Sequence, residues 1–150
     1  MSAYDRRPER GSGSDRPSPG GGTSVVEVQY YKDPGQKVLN PDLLDNLAEK
    51  QAGALHDKIN SSQVRRFFGE VKSIYLCLQE NRPWSDLEPR FRMLKSRAYY
   101  ASGTQRIPRV FCDFLATNID KVKNEKDFRA FVQYFEAVLG FMYGKGLVTK

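Results

Sequence analysis

Cysteine, histidine and tryptophan are all scarce in this 150-residue chain, which has two, one and one of them respectively. The cysteines, Cys77 and Cys112, lie far apart, a spacing that supports neither a disulfide scaffold nor a zinc site. Each flanks an apolar helical stripe, so both are expected to be small, partly buried thiols in a reducing cytosol. His56 has no cysteine or paired carboxylate nearby and is expected to be an ordinary surface histidine, with no metal or cofactor implied. No apolar run approaches the roughly 18–20 residues that span a bilayer. The start of the chain has no apolar segment of the secretory kind. With a mean hydropathy of −0.61 and 28% charged residues, the expectation is a soluble, cytoplasmic protein without membrane contact.

Catalytic patterns are missing too. No glycine-rich loop precedes a helix, and no Cys/His pair is placed for nucleophilic chemistry. Glu70, Glu80, Asp113 and Glu136 occur singly at helical surface spacing, so paired-carboxylate catalysis is not expected. The chain is read as a binding protein and not an enzyme.

What is present is a helical body behind a polar tail. Residues 1–24 are dominated by Gly, Ser, Pro, Arg and Asp, and Pro17-Ser18-Pro19-Gly20-Gly21-Gly22 cannot nucleate regular structure, so a disordered tail is expected. Val25–Tyr31 is a β-prone run stopped by Asp33-Pro34-Gly35, and residues 25–39 are assigned to an extended arm or linker. Residues 40–150 are assigned to an all-α domain, a compact bundle of about five helices with short connections. The first helix opens at Asn40-Pro41, carries Leu43, Leu44 and Leu47, and is expected to end at Gly53. The second carries Val64, Phe67, Phe68, Val71, Ile74, Tyr75 and Leu78 at spacings of three and four, with Asn60, Ser61 or Ser62 as cap, and stops at Asn81-Arg82-Pro83. The third spans roughly Asp86 to Ser102 on Leu87, Phe91, Leu94 and Ala98. It tolerates Pro89 only in its first turn and is broken by Gly103. The fourth begins near Pro108 and presents Val110, Phe111, Phe114, Leu115, Ile119 and Val122. The fifth, capped by Asn124, carries Phe128, Phe131, Val132, Phe135, Val138, Leu139 and Met142 and frays at Gly144 and Gly146.

The excess positive charge lies in residues 60–150, on these helices. Residues 60–150 carry 16 Lys and Arg against 9 Asp and Glu, a net of +7, whereas residues 1–59 carry 8 against 9. From Arg82 to Arg109 the balance is seven basic to two acidic. At helical spacing Arg92, Lys95 and Tyr99 share one flank of the third helix, Arg90 and Arg97 the other, and Arg65 and Lys72 one face of the second. Arg106 and Arg109 extend the basic region beyond Gly103. Such stripes suit a polyanion. Arg65 and Arg66 are placed in the first turn of the second helix, where the macrodipole disfavours cations, so with Ser61 and Ser62 they form a candidate phosphate site. Tyr99 and Tyr100 are candidates for stacking on bases, although one of them is equally suited to the core.

The segments Ser61-Ser62-Gln63-Val64-Arg65-Arg66-Phe67-Phe68, Leu94-Lys95-Ser96-Arg97-Ala98-Tyr99-Tyr100-Ala101 and Phe128-Arg129-Ala130-Phe131-Val132-Gln133-Tyr134-Phe135-Glu136-Ala137-Val138-Leu139 together resemble the small-subunit family of type III-A CRISPR effector (Csm) complexes. The likeness covers about Asn40 to Tyr143. It implies a non-catalytic five-helix protein whose copies stack beside the other Csm subunits along a guide–target RNA duplex in antiviral defence, with Lys and Arg on the backbone phosphates. Carried over by position, Arg65, Arg66, Lys95 and Arg106 are the RNA-binding candidates, with Arg90, Arg92, Arg97 and Arg109 as neighbours. The competing expectation is a basic helical protein–protein adaptor without direct RNA contact. A DNA-binding regulator is less favoured, because no short helix-turn-helix pairing stands out.

Overall fold

A computed structural model describes residues 25–55 and 59–149. The expectations for residues 1–24 and for His56 lie outside the described residues. Among these, five α-helices form the body: α1 (Asn46–Ala54), α2 (Ser61–Gln79), α3 (Trp84–Gly103), α4 (Arg109–Lys121) and α5 (Glu125–Gly144). A 3₁₀ turn, Pro41–Leu44, precedes α1, and two short strands, β1 (Ile59–Asn60) and β2 (Val148–Thr149), pair in parallel. The all-α expectation holds.

Asparagine starts three of these elements. The Asn40, Asn60 and Asn124 side chains accept from the backbone N–H of Asp42, Ser62 and Asp127 at 3.2, 2.8 and 2.8 Å, satisfying donors that the first turn leaves free. Three helices also stop alike. Asn81 (φ 66°), Gln105 (φ 62°) and Gly146 (φ 67°) are left-handed, and the next N–H turns back to a carbonyl of the last turn: Arg82 to Cys77, Arg106 to Ala101 and Leu147 to Met142.

The core is aromatic and centred on α5. Phe128, Phe131, Tyr134 and Phe135 are fully buried with Phe91 of α3 and Phe111 and Phe114 of α4. Rings meet edge to face, Phe91 on Phe128 at 5.0 Å and Phe114 on Phe135 at 5.5 Å. Each such ring removed from water stabilises the fold by roughly 1.5–3 kcal/mol. Residues 25–39 cross this body as an arm without regular structure except one bridge, Tyr31 to Leu39. Val28 and Tyr30 are buried, the Tyr30 hydroxyl bonds Asn118 Oδ1 at 2.7 Å, and the Lys121 ammonium donates to the Val28 carbonyl.

Several local expectations are corrected. The first helix is interrupted at Asp45, whose backbone (φ −127°, ψ −103°) separates the 3₁₀ turn from α1, and Gly53 lies inside α1. Pro89 is the sixth residue of α3, beyond its first turn. The helix starts earlier than expected because Trp84 packs on Phe128 with ring centres 5.0 Å apart. α3 does end on Gly103, and the left-handed turn that follows falls at Gln105. Arg65 and Arg66 are the fifth and sixth residues of α2, past the first turn, where the dipole penalty has faded. The Ser61 hydroxyl meets the Tyr143 hydroxyl at 3.0 Å and the Ser62 hydroxyl donates to Asn60, so neither is aimed at an anion with those arginines.

Candidate nucleic-acid interface

The basic residues fall into three groups, because three different helix pairs hold them. The first lines a groove of about 380 Å³ between α2 and α3. Arg66 and Glu70 project from α2, Arg97 and Tyr100 from α3, and Arg106 from the turn after α3. α2 and α3 lie against each other, with Val71 and Ile74 of α2 and Leu87, Phe91 and Leu94 of α3 buried, and this seam is left at their rims. The left-handed Gln105 fixes the direction in which Arg106 leaves the helix. Tyr100 is 67% exposed. Among the described residues neither Arg66 nor Arg106 has an acidic partner, whereas Glu70 Oε2 lies 3.5 Å from Arg90 and 3.8 Å from Arg97. Arg90 also donates to the Ser73 hydroxyl at 3.0 Å.

The second group lies between α3 and α4 and is engaged internally. The Arg92 guanidinium donates to the Ile119 and Val122 carbonyls at 2.6 and 2.5 Å and pairs with Glu88 at 3.0 Å. It closes the C-terminal end of α4, where the macrodipole favours a cation. Lys95 meets Asp120 at 2.8 Å, and that hydrogen bond holds its ammonium above the ordinary range. Arg109 pairs with Asp113 at 2.9 Å, lies over the Tyr99 ring at 5.2 Å, and is held up in the same way. Tyr99 is 42% exposed, so neither Tyr99 nor Tyr100 belongs to the core.

The third group faces α5. Arg65 lies over the Tyr143 ring at 5.6 Å, and Lys72 shares the Tyr75 ring with Arg129. The ten candidates therefore do not form one surface. Arg66, Arg97 and Arg106 come together, Arg90 is held at their edge by Glu70, and Arg92, Lys95, Tyr99 and Arg109 sit across α3 from them. In the sequence Glu70 looks like one more solvated acid. Its distance from Arg90 and Arg97 in the chain hides a contact that only the pairing of α2 with α3 creates.

Cys77 is half-buried, and burial pushes the Cys112 thiol up, away from reactivity. Among the described residues no three His, Cys, Asp or Glu side chains gather as a metal site requires, and no helix is long and apolar enough to cross a membrane.

Fold and groove together define a small helical module with a basic, aromatic-edged face. The family model described as Csm2 Type III-A matches residues 39–145. The chain belongs to that family, the small subunit of the type III-A Csm complex. Comparisons with curated proteins and with solved structures returned no match.

Proposed function

We propose that the chain works as a non-catalytic, cytoplasmic small subunit that lays its α2–α3 groove along the backbone of the guide–target RNA. Copies of it stack on one another and on the other Csm subunits. The observation that carries this reading is the meeting of Arg66, Arg97 and Arg106 around one groove with the exposed Tyr100 at its rim. Three guanidiniums against a single carboxylate leave the groove positive, and a guanidinium fork matches phosphate oxygens. Tyr100 offers a ring to an unstacked base or a sugar face.

Arg65, Lys72, Arg90, Lys95 and Arg109 contribute as a flanking positive field, each held by a ring or a carboxylate. The isolated subunit reaches few phosphates and binds weakly. Stacking multiplies the phosphates engaged through effective concentration.

The test is the assembled complex carrying Arg66→Ala and Arg106→Ala. Target-RNA affinity should fall, and the slope of log affinity against log salt should shrink by roughly 0.7–0.9 for each phosphate that is no longer neutralised. Unchanged affinity and slope, with assembly intact, would remove RNA from the groove and favour the adaptor reading.

A further inference from the structure

Glu70 stands where an anion is expected. Among the described residues it is the one carboxylate lining the α2–α3 groove, where it faces Arg97, one of the three guanidiniums a phosphate would meet there. Its Oε2 is 3.5 Å from Arg90 and 3.8 Å from Arg97. Strong pairs of this kind close to about 2.7–2.9 Å, so both contacts are loose. The carboxylate is 38% exposed and the two arginine side chains are 43% and 58% exposed, a setting in which an ion pair exchanges readily. By contrast, the Lys95–Asp120 and Arg109–Asp113 pairs close to 2.8 and 2.9 Å. Arg129–Glu125 at 3.4 Å and Lys145–Glu49 at 3.5 Å are as open, so what sets the Glu70 contacts apart is their place at the groove.

We infer that Glu70 is an internal competitor for the RNA phosphate, an affinity-setting residue that occupies Arg97 in the groove and Arg90 at its edge until a backbone displaces it; this rests on the groove being the RNA-binding face. The arrangement works in two ways. Glu70 keeps Arg97 and Arg90 turned toward the seam, so they are already gathered when RNA arrives. Its negative charge also stays beside any phosphate that enters, and this repulsion lowers affinity. A single subunit consequently holds free RNA poorly. Several stacked copies engaging successive phosphates overcome the same opposition together, which makes retention depend on assembly.

Glu70→Gln keeps the length of the side chain and its helix propensity while removing the charge. Glu136→Gln changes net charge equally from an exposed position on α5 that does not line the groove. Each full-length variant is titrated into a fluorescent RNA duplex of about 20 base pairs over a range of salt. Glu70→Gln is expected to bind about three- to tenfold tighter than the parent, with a salt slope steeper by roughly 0.7–0.9 as another phosphate is engaged. Glu136→Gln should change affinity less than about twofold. Equal effects of the two would reduce Glu70 to general charge and overturn the inference. Weaker binding by Glu70→Gln would make Glu70 a positioning residue and also overturn it. Arg66→Ala with Arg106→Ala is measured alongside. If that pair leaves duplex binding intact, the groove reading itself falls; if the pair weakens binding and Glu70→Gln does not tighten it, only the role of Glu70 falls.

Discussion

Replacing Arg92 by alanine separates structure from function at a residue that sequence pattern alone assigns to RNA. Its guanidinium donates to the Ile119 and Val122 carbonyls at 2.6 and 2.5 Å. Both residues are buried, so these carbonyls find no easy substitute. A hydrogen bond from a charged donor contributes about 1.5–3 kcal/mol, which sets an upper limit of about 6 kcal/mol for the two. The Arg92 side chain is 37% exposed, and water admitted by truncation recovers part of the loss. The net cost is therefore about 2–3 kcal/mol. At this chain length 1 kcal/mol moves the melting temperature by about 3–5 °C, so Arg92→Ala should melt about 6–15 °C below the parent. Arg92→Lys keeps the charge but offers no fork and should recover less than half of that loss. RNA affinity per folded molecule, measured well below the transition, should stay within about twofold. A variant that melts within about 2 °C of the parent yet binds RNA much more weakly would refute the assignment of Arg92 to the end of α4.

Three further outcomes follow from single contacts. The Tyr134 hydroxyl is buried without a hydrogen-bond partner among the described residues, and burial pushes its pKa well above the ordinary range. Tyr134→Phe should therefore raise stability in urea by about 1 kcal/mol, and a decrease of that size would show the hydroxyl bonded in solution. Gln105 is left-handed at φ 62°, a conformation costing most side chains about 1–2 kcal/mol, so Gln105→Gly should gain about 0.5–1 kcal/mol with RNA affinity unchanged. A destabilised Gln105→Gly would show that the side chain has a role the turn does not reveal. Asp33 accepts from the backbone N–H groups of Val38 and Lys37, which hold its carboxyl below the ordinary value of 3.8. Its contribution is complete above that value and fades as pH falls through the lower folded-state value, so protection of the Lys37 and Val38 amides from exchange should drop only below about pH 4. Equal protection across that range would mean the turn does not depend on the carboxylate.

Periodicity makes the body legible because α2, α4 and α5 each bury a stripe at spacings of three and four. Val64, Val71, Ile74 and Leu78 all lie where the pattern puts them, and so do Phe128, Phe131 and Phe135. Asn60 and Asn124 are legible as caps for the same local reason. The interruption at Asp45 and the left-handed Gln105 are not, since neither residue type announces the backbone conformation it takes. The cations are visible in the sequence, but their partners are not. Lys95 meets Asp120, Arg92 meets Ile119 and Val122, and Arg90 meets Glu70 and Ser73, all across helix pairs. A helical wheel shows which face a charge shares on its own helix. It cannot show which charge a second helix brings to meet it.

The arm also bears on the order of events during synthesis. It is made before the helices, yet its anchors lie far downstream: Tyr30 bonds Asn118, Tyr31 bonds the Lys126 carbonyl, and Gln36 bonds Asp127, across 88, 95 and 91 residues. At about 5–20 residues per second, roughly 5–20 s pass between the appearance of Tyr30 and that of its partner. Throughout that interval Val25, Val26, Val28, Tyr30 and Tyr31 form an apolar, β-prone stretch with no surface to cover it. The segment that finally buckles the finished molecule thus waits for its anchors until nearly the whole helical body has left the ribosome.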